Sequence, residues 1–127
     1  MNAEQSLYER LGGSLVLPDL VQRFYARVQS DPQLARYFDA ADMIRLGRMQ
    51  TEFLCRVLGG PCTGPGTSLA QVHRHLGINL HDYQRFMQLL FETLAVYQLS
   101  QEECYEVIGR MDRYTDEVVD RSTGAAE

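Results

Sequence analysis

The chain has 127 residues, 45% of them hydrophobic, and carries a net charge of −5. This length and apolar content predict one domain, residues 1–127, with a core of its own. The negative charge and the lack of a basic run exclude nucleic acid and acidic membrane surfaces as expected partners. All twelve basic residues are arginine, which excludes Schiff-base chemistry through a lysine.

The cysteines and the N-terminus predict where the protein is found. Cys55, Cys62 and Cys104 are widely spaced, and no CxxC pair suggests a zinc or redox site. We therefore expect reduced thiols and a cytoplasmic protein. The first residues lack the basic start and apolar stretch of a signal peptide. No apolar run approaches the roughly 20 residues needed to span a bilayer, so no membrane partner is expected.

Two helices are predicted near the N-terminus. The stretch EQSLYERLGG predicts a short helix that its glycine pair ends. The stretch SLVLPDLVQRFYARVQS predicts a longer one, because Val21, Phe24, Tyr25 and Val28 follow the spacing of one helical face. Pro18 lies near the start of this helix, where its missing N–H matters least.

The next two segments predict a helical turn and a third helix. In DPQLARYF, Asp31 is a candidate cap and Pro32 suits the first helical position. In DMIRLGRMQTEFLCRVLGGP, Asp42 is the candidate cap, and the closing glycines and proline end the helix. The amide of Gln50 is predicted to lie among apolar side chains. One side of this helix carries Leu46, Met49, Gln50, Phe53 and Val57.

The second half predicts a loop, a short helix and two long helices. CTGPGTSL is rich in turn residues, and Ser68 is a candidate cap for a short helix in LAQVHRHL that ends at Gly77. Long helices are predicted in NLHDYQRFMQLLFETLAVYQ and SQEECYEVIGRMDRYTDEVVD, the second opened by a capping box of Ser100 and Glu103. No segment alternates like a strand, so the predicted fold class is all-α, with residues 119–127 expected to fray.

Three polar side chains combine into a candidate site. His73 ends the short helix after the glycine-rich loop, which suits an imidazole directed into a pocket, whereas His75 then faces elsewhere. Tyr25 and Gln50 place polar groups on apolar helix faces, where a buried group without a partner costs roughly 1–3 kcal/mol. Each residue alone also has a structural explanation. Together they suggest a shared apolar pocket with one metal centre.

Four motifs in order along the chain resemble the truncated haemoglobins, the two-over-two globins, and most of all their group I. The motifs are LYERLGG, FYARV.SDPQL..YF, DM..L...Q.EFL...LGGP and VH..LGI, and the resemblance covers about residues 6–118. It implies a single-domain short globin fold, a two-over-two helical sandwich around haem b (iron protoporphyrin IX). It also implies that His73 is the proximal ligand of the iron.

The resemblance further implies roles for the residues around the haem. Tyr25 and Gln50 are expected on the distal side as hydrogen-bond donors, and Arg45 and Arg48 are candidate partners of the propionates. A solvated helix face is the alternative for the two arginines. The apolar haem contacts are expected from Phe38, Leu46, Phe53, Ile78, Phe86 and Met111, each of which also suits a plain core position.

Some positions depart from the family pattern. Met49 stands where some members have an internal sixth ligand of the iron, so it is a candidate sixth ligand, with apolar packing as the alternative. Leu54 stands where some group I members have a tunnel-gating phenylalanine. The loop before the proximal helix lacks a tyrosine often found there. Ligand access is therefore expected to differ from that of those members.

The implied function is reversible binding of dioxygen and other diatomic ligands, nitric oxide and carbon monoxide among them. Nitric oxide dioxygenation and peroxidase-like redox chemistry are further candidate activities, supported by an unidentified reductase, and a monomer is expected. The alternative is a haem-free globin-like sensor or protein-interaction module, in which His73 and Gln50 are structural. A zinc site of His73, His75 and a cysteine is disfavoured, because the histidines share no helical face.

Overall fold

The computed structural model describes residues 5–39, 42–62 and 77–119. Its helices are α1 (Leu7–Leu11), α2 (Leu17–Ser30), α3 (Met43–Val57), α4 (Leu80–Leu94), α5 (Gln101–Asp112) and α6 (Thr115–Val118), with 3₁₀ turns at Gly13–Leu15 and Ala35–Phe38. No strand occurs in these three ranges, and the all-α prediction is confirmed. No helix in them is long and apolar enough to cross a membrane. The short helix predicted around His73 lies outside the described residues.

Side chains at the helix starts satisfy backbone amides that have no partner inside the helix. Asp42 caps α3 as predicted, and Ser100 and Glu103 form the predicted capping box at α5. Ser6 opens α1 with a second capping box, and Asn79 caps α4, neither of which the sequence analysis had anticipated. These caps fix where the four helices begin.

The two long C-terminal helices are shorter than predicted. After α4 the chain turns, and the hydroxyl of Tyr97 donates a hydrogen bond of 2.6 Å to Asp19, which ties this turn to α2. After α5, the hydroxyl of Thr115 donates to the carbonyl of Asp112 at 2.6 Å. Such a side-chain bond competes with the helical one, and here the helix is broken before α6 begins.

The long helices pack in two pairs, α2 with α3 and α4 with α5, while α2 also contacts α4 and α3 contacts α5. This is the predicted two-over-two arrangement. Val28, Leu34 and Val107 are fully buried in the core between the pairs. The packed region extends past its predicted end, because Val119, which was expected to fray, is 6% exposed and packs with Ile78.

The expectation of reduced thiols is wrong for Cys55 and Cys62, which form a disulfide with Cα atoms 6.1 Å apart. Gly59 adopts a φ of +82°, in the left-handed region that favours glycine, and the chain reverses after α3. The amide of Gly60 donates back to the carbonyl of Cys55 at 2.8 Å, which brings Cys62 alongside α3. Cys104 is a free, buried thiol. Cytoplasmic localisation, which rested in part on reduced thiols, stays a prediction.

Candidate functional site

An apolar cavity lies between α2, α3, α4 and the end of α5. The structure brings eight of the predicted site residues to its wall: Tyr25, Phe38, Leu46, Gln50, Phe53, Ile78, Phe86 and Met111. His73 and His75 lie outside the described residues, so the role predicted for His73 stays a prediction. The shared cavity is what the resemblance led us to expect of residues that are far apart in sequence.

Aromatic rings in edge-to-face contact form one wall of the cavity. The ring of Tyr25 lies 5.6 Å from that of Phe38 at an angle of 73°, and Phe38 lies 6.0 Å from Phe86 at 68°. On the side of α3, Phe53 contacts Tyr114 at 5.1 Å. Such edge-to-face contacts are favourable and hold each ring against its neighbours.

Tyr25 presents a hydroxyl in this apolar setting. Desolvation by burial raises its pKa well above the ordinary value of a phenol, so the group stays protonated and neutral. Within the ranges that the structure describes, this hydroxyl makes no hydrogen bond. Tyr25 is therefore a neutral donor available to a molecule in the cavity.

Gln50 is the second polar group on the wall. It lies on the cavity face of α3, one helical turn from Leu46 and Phe53, and is partly buried. Its amide has no hydrogen bond to any described residue. Across the described part of the chain, no fully enclosed side-chain nitrogen or oxygen lacks a partner. The free amide therefore faces the space of the cavity and is not sealed in the core.

Six residues on the cavity wall were not among the predicted site residues: Phe24, Leu54, Tyr83, Met87, Leu90 and Val118. The spacing of α4 contained a signal for three of them, since Tyr83, Met87 and Leu90 lie within one helical turn of Phe86. The ring of Tyr83 lines the cavity, whereas its hydroxyl donates a hydrogen bond to Asp112 at 3.2 Å. Burial raises the pKa of Tyr83 to about 12.

A buried carboxylate ties the 3₁₀ turn Ala35–Phe38 to the start of α4. Asp82, 2% exposed, accepts hydrogen bonds from Arg36 at 2.6 Å, from Gln33 at 2.7 Å and from the hydroxyl of Tyr37. Burial alone would raise the pKa of Asp82, but the hydrogen bonds from Tyr37 and Gln33 and the charge of Arg36 outweigh it and lower that pKa. This cluster positions the turn that carries Phe38.

The sequence analysis missed this cluster. From its sequence neighbours, Asp82 is an ordinary acidic residue in the first turn of a helix. Asn79 caps that helix, so no capping role singles out Asp82. Its partner Tyr37 is 45 residues away in the sequence. No local pattern marks a contact of that span.

Three predicted residues do not share the wall of the cavity. A groove between α2 and α3 is lined by Met49, Arg45 and Arg48, together with Ile44, whose side chain is 76% exposed. Among the described residues, the groove and the cavity share one lining residue, Tyr25. The roles predicted for Met49 as a sixth ligand and for the two arginines as propionate partners stay predictions. For Met49, that role would require the side chain to turn from the groove toward the cavity.

The composition of the wall suits a flat, largely apolar cofactor. Aromatic and aliphatic side chains cover most of it. Two polar side chains, Tyr25 and Gln50, also line it from neighbouring helices, and neither has a hydrogen bond to a described residue. A porphyrin needs apolar contacts on its faces, and a small ligand on its metal needs hydrogen-bond donors on one side. The described residues meet both needs.

Comparisons with known proteins show which family the chain is related to. The sequence model of the family described as bacterial-like globin matches residues 6–120. A group 1 truncated haemoglobin of Mycolicibacterium paratuberculosis is 33% identical over 119 residues, which cover 94% of this chain and 88% of that protein. A group 1 truncated haemoglobin of Tetrahymena pyriformis is 35% identical over 95 residues, which cover 74% and 78%.

Two solved structures are similar in fold. The structure of THB1 from Chlamydomonas reinhardtii has a TM-score of 0.78 at 30% identity, covering 92% of this chain and 98% of that one. The truncated haemoglobin from Tetrahymena pyriformis in its Fe(III) form has a TM-score of 0.85 at 24% identity, covering 91% and 98%. At that identity the second likeness concerns the fold alone.

Proposed function

The chain belongs to the bacterial-like globin family, and we propose that it holds haem b through His73 and retains dioxygen by hydrogen bonds from Tyr25 and Gln50. As a globin it binds haem and small diatomic ligands. When bound, haem supplies the ligand-binding metal and the redox chemistry, which includes oxidation of nitric oxide to nitrate. The protein supplies the axial ligand, the apolar cavity and the donors.

Each residue has a physical task in this proposal. The neutral imidazole of His73 serves as the axial ligand. Phe38 and Phe86 cover the cofactor with aromatic surface, and Ile78 and Met111 exclude water from it. Arg45 and Arg48 are the proposed partners of its propionates, at the rim between α2 and α3.

The observation that carries the proposal is the pair of donors on the wall of an apolar cavity, neither of which bonds to a described residue. Tyr25 and Gln50 would donate hydrogen bonds to a diatomic ligand in the cavity, where partial negative charge on that ligand would be stabilised. Each hydrogen bond contributes about 1–1.5 kcal/mol, which is roughly a tenfold change in affinity or dissociation rate. Two such donors favour slow release, which suits a sensor, a scavenger or a redox enzyme fed by a reductase better than a fast oxygen carrier.

The test is the dissociation rate of dioxygen, measured by stopped flow on the haem-loaded protein. Tyr25→Phe keeps the ring and removes the donor, so dissociation should accelerate about tenfold or more. Tyr83→Phe is the matched control, because the ring of Tyr83 lines the same cavity while its hydroxyl is bonded to Asp112. Equal rates in wild type and Tyr25→Phe would show that the Tyr25 hydroxyl does not reach the ligand.

Haem binding itself separates this proposal from the haem-free alternative. Purified protein, or protein mixed with haem, should show an intense band near the blue edge of the visible spectrum. Protein that stays colourless after haem addition would favour the interaction module. Consumption of nitric oxide by the oxygenated protein, followed with an electrode, tests the proposed dioxygenase activity in the same preparation.

A further inference from the structure

The disulfide lies at the end of α3, where the proposed function assigns it no role. Cys55 is in the last turn of α3, and Cys62 follows the reversal through Gly59 and Gly60. Both cysteines are partly exposed, and Gly59 and Pro61 between them are exposed. The disulfide is therefore partly open to solvent at a turn with exposed residues.

The turn that the disulfide closes is packed tightly against the rest of the protein. The amide of Tyr8 donates to the carbonyl of Leu58 at 3.0 Å, and the amide of Gly60 donates to that of Cys55 at 2.8 Å. A Cβ atom on Gly60 would lie 2.6 Å from the ring of Tyr8 and 2.8 Å from the sulfur of Cys55. The sulfur is thus part of the packing that holds the turn in place.

The same end of α3 forms part of the cavity wall. Phe53 and Leu54, the two residues before Cys55, both line the cavity, and Leu54 is 4% exposed. The amide of Leu58 donates to the carbonyl of Leu54 at 2.8 Å, so the turn and the wall share a hydrogen bond. A change in the disulfide therefore acts within one helical turn of the cavity.

We propose that the Cys55–Cys62 disulfide is a thiol–disulfide exchange site for dithiol proteins, and that its reduction loosens the end of α3 at the cavity. A thiolate of the reductant attacks one sulfur and forms a mixed disulfide, releasing the other cysteine as a thiol. The second thiol of the reductant then displaces the remaining cysteine. Two electrons and two protons pass to Cys55 and Cys62, and the reductant leaves with its own disulfide.

The effect of reduction is local. A disulfide constrains the unfolded chain less when the loop it closes is short, and here the sequence separation is only 7. Cys55 packs against the core that contains Val28 and Val107 but is not itself one of its buried residues. Reduction therefore leaves the fold intact and raises the frequency of local opening in the turn and in the last turn of α3.

Thiol counting on the haem-loaded native protein tests the exchange step. Protein purified in air should show one thiol after denaturation, that of Cys104, and three after treatment with thioredoxin and its reductase without denaturant. Three thiols at the outset, or a disulfide that thioredoxin reduces only in denaturant, would overturn the proposal. This measurement is independent of oxygen binding, so its failure is distinct from a failure of the proposed function.

Hydrogen exchange tests the loosening. On reduction, the amides of Leu58 and Gly60 should exchange about tenfold faster or more, while amides in the middle of α4, such as that of Leu90, stay unchanged. In the double variant C55S/C62S, these amides should exchange as fast as in the reduced protein, and adding the reductant should not change their rates. Cys104→Ser should respond as wild type does. Unchanged exchange in fully reduced wild type would overturn the coupling between the disulfide and α3.

Discussion

Tyr25 illustrates how burial determines the chemistry of a single side chain. Its phenol lies among the rings of Phe24 and Phe38, and desolvation keeps it neutral by raising its pKa. A neutral phenol donates a hydrogen bond well. Burial thus keeps the Tyr25 hydroxyl able to donate.

Replacing His73 tests the proposed axial ligand. His73→Ala should lose haem or bind it weakly, because no other group is proposed to hold the metal, and added imidazole should restore the spectrum. His75→Ala is the matched control and should retain haem. The measurement is the absorption spectrum together with the rate of haem transfer to an acceptor globin. Haem loss in His75→Ala alone would show that the axial ligand has been assigned to the wrong histidine.

Replacing Met49 distinguishes packing from ligation. Because Met49 lines the groove between α2 and α3, we expect Met49→Leu to leave the ferric and ferrous spectra unchanged across a range of pH. Leucine preserves the apolar volume but cannot coordinate a metal. A low-spin signature that is present in wild type and absent from Met49→Leu would instead support the sixth-ligand hypothesis.

At the level of the elements, Asp82 joins a 3₁₀ turn to a long helix that begins over 40 residues later. The carboxylate is almost fully buried. Arg36 and Tyr37 of the turn and Gln33, two residues before it, all donate to it. Removing one partner of a buried charged cluster usually destabilises a protein strongly, because the other polar groups lose their bonds. Here Arg36 is largely exposed and keeps access to water, which moderates the effect.

Asp82→Asn should lower the free energy of unfolding by about 1–3 kcal/mol at neutral pH, the range for hydrogen bonds to charged groups. The folded-state pKa of Asp82 is lower than its unfolded value. The ionised Asp82 therefore makes its full contribution to the free energy of unfolding above the unfolded pKa of about 4. This contribution is lost as pH falls through the folded pKa. The difference between wild type and Asp82→Asn should shrink in that acid range.

Urea unfolding of both proteins at neutral and acid pH measures this difference. Asp39→Asn is a suitable control, because Asp39 is an exposed aspartate next to the same turn, and its replacement should change stability little. A difference between wild type and Asp82→Asn that stays constant down to the lowest pH would show that the Asp82 charge is not what stabilises the contact.

For the whole molecule, the cavity lies at the junction of the two helix pairs. Leu54, Leu90 and Phe24 belong both to the buried core and to the cavity wall. A ligand that fills this space contacts both pairs at once. Cofactor binding and overall stability are therefore linked.

Removing haem should lower the melting temperature. A ligand that binds only the folded state stabilises it by about 4 kcal/mol when its free concentration is a thousand times its Kd. For a domain of this size that corresponds to roughly 8–16 °C. Calorimetry of haem-free and haem-loaded protein measures the shift. Identical melting temperatures at saturating haem would contradict binding in the cavity between the helix pairs.

The sequence by itself determined the features that depend on neighbours a few residues away. The helical faces of α2 and α3 follow from a period of 3.6, and the caps of Asp42 and Ser100 follow from side chains that reach amides two or three residues on. The ordered motifs of a known family also led us to eight residues that line the cavity, while their roles stay predictions. In these cases local chemistry or a family pattern carried the information.

Only the tertiary structure decided the contacts between distant parts of the chain. It paired Cys55 with Cys62 through the reversal at the glycines, and it buried Asp82 against Tyr37. It also turned Met49 to a groove while Gln50, the next residue, faces the cavity. The reason is physical. The helical period determines which face of a helix carries a given side chain, but the packing of the helices determines what covers that face. Packing is a property of the whole chain.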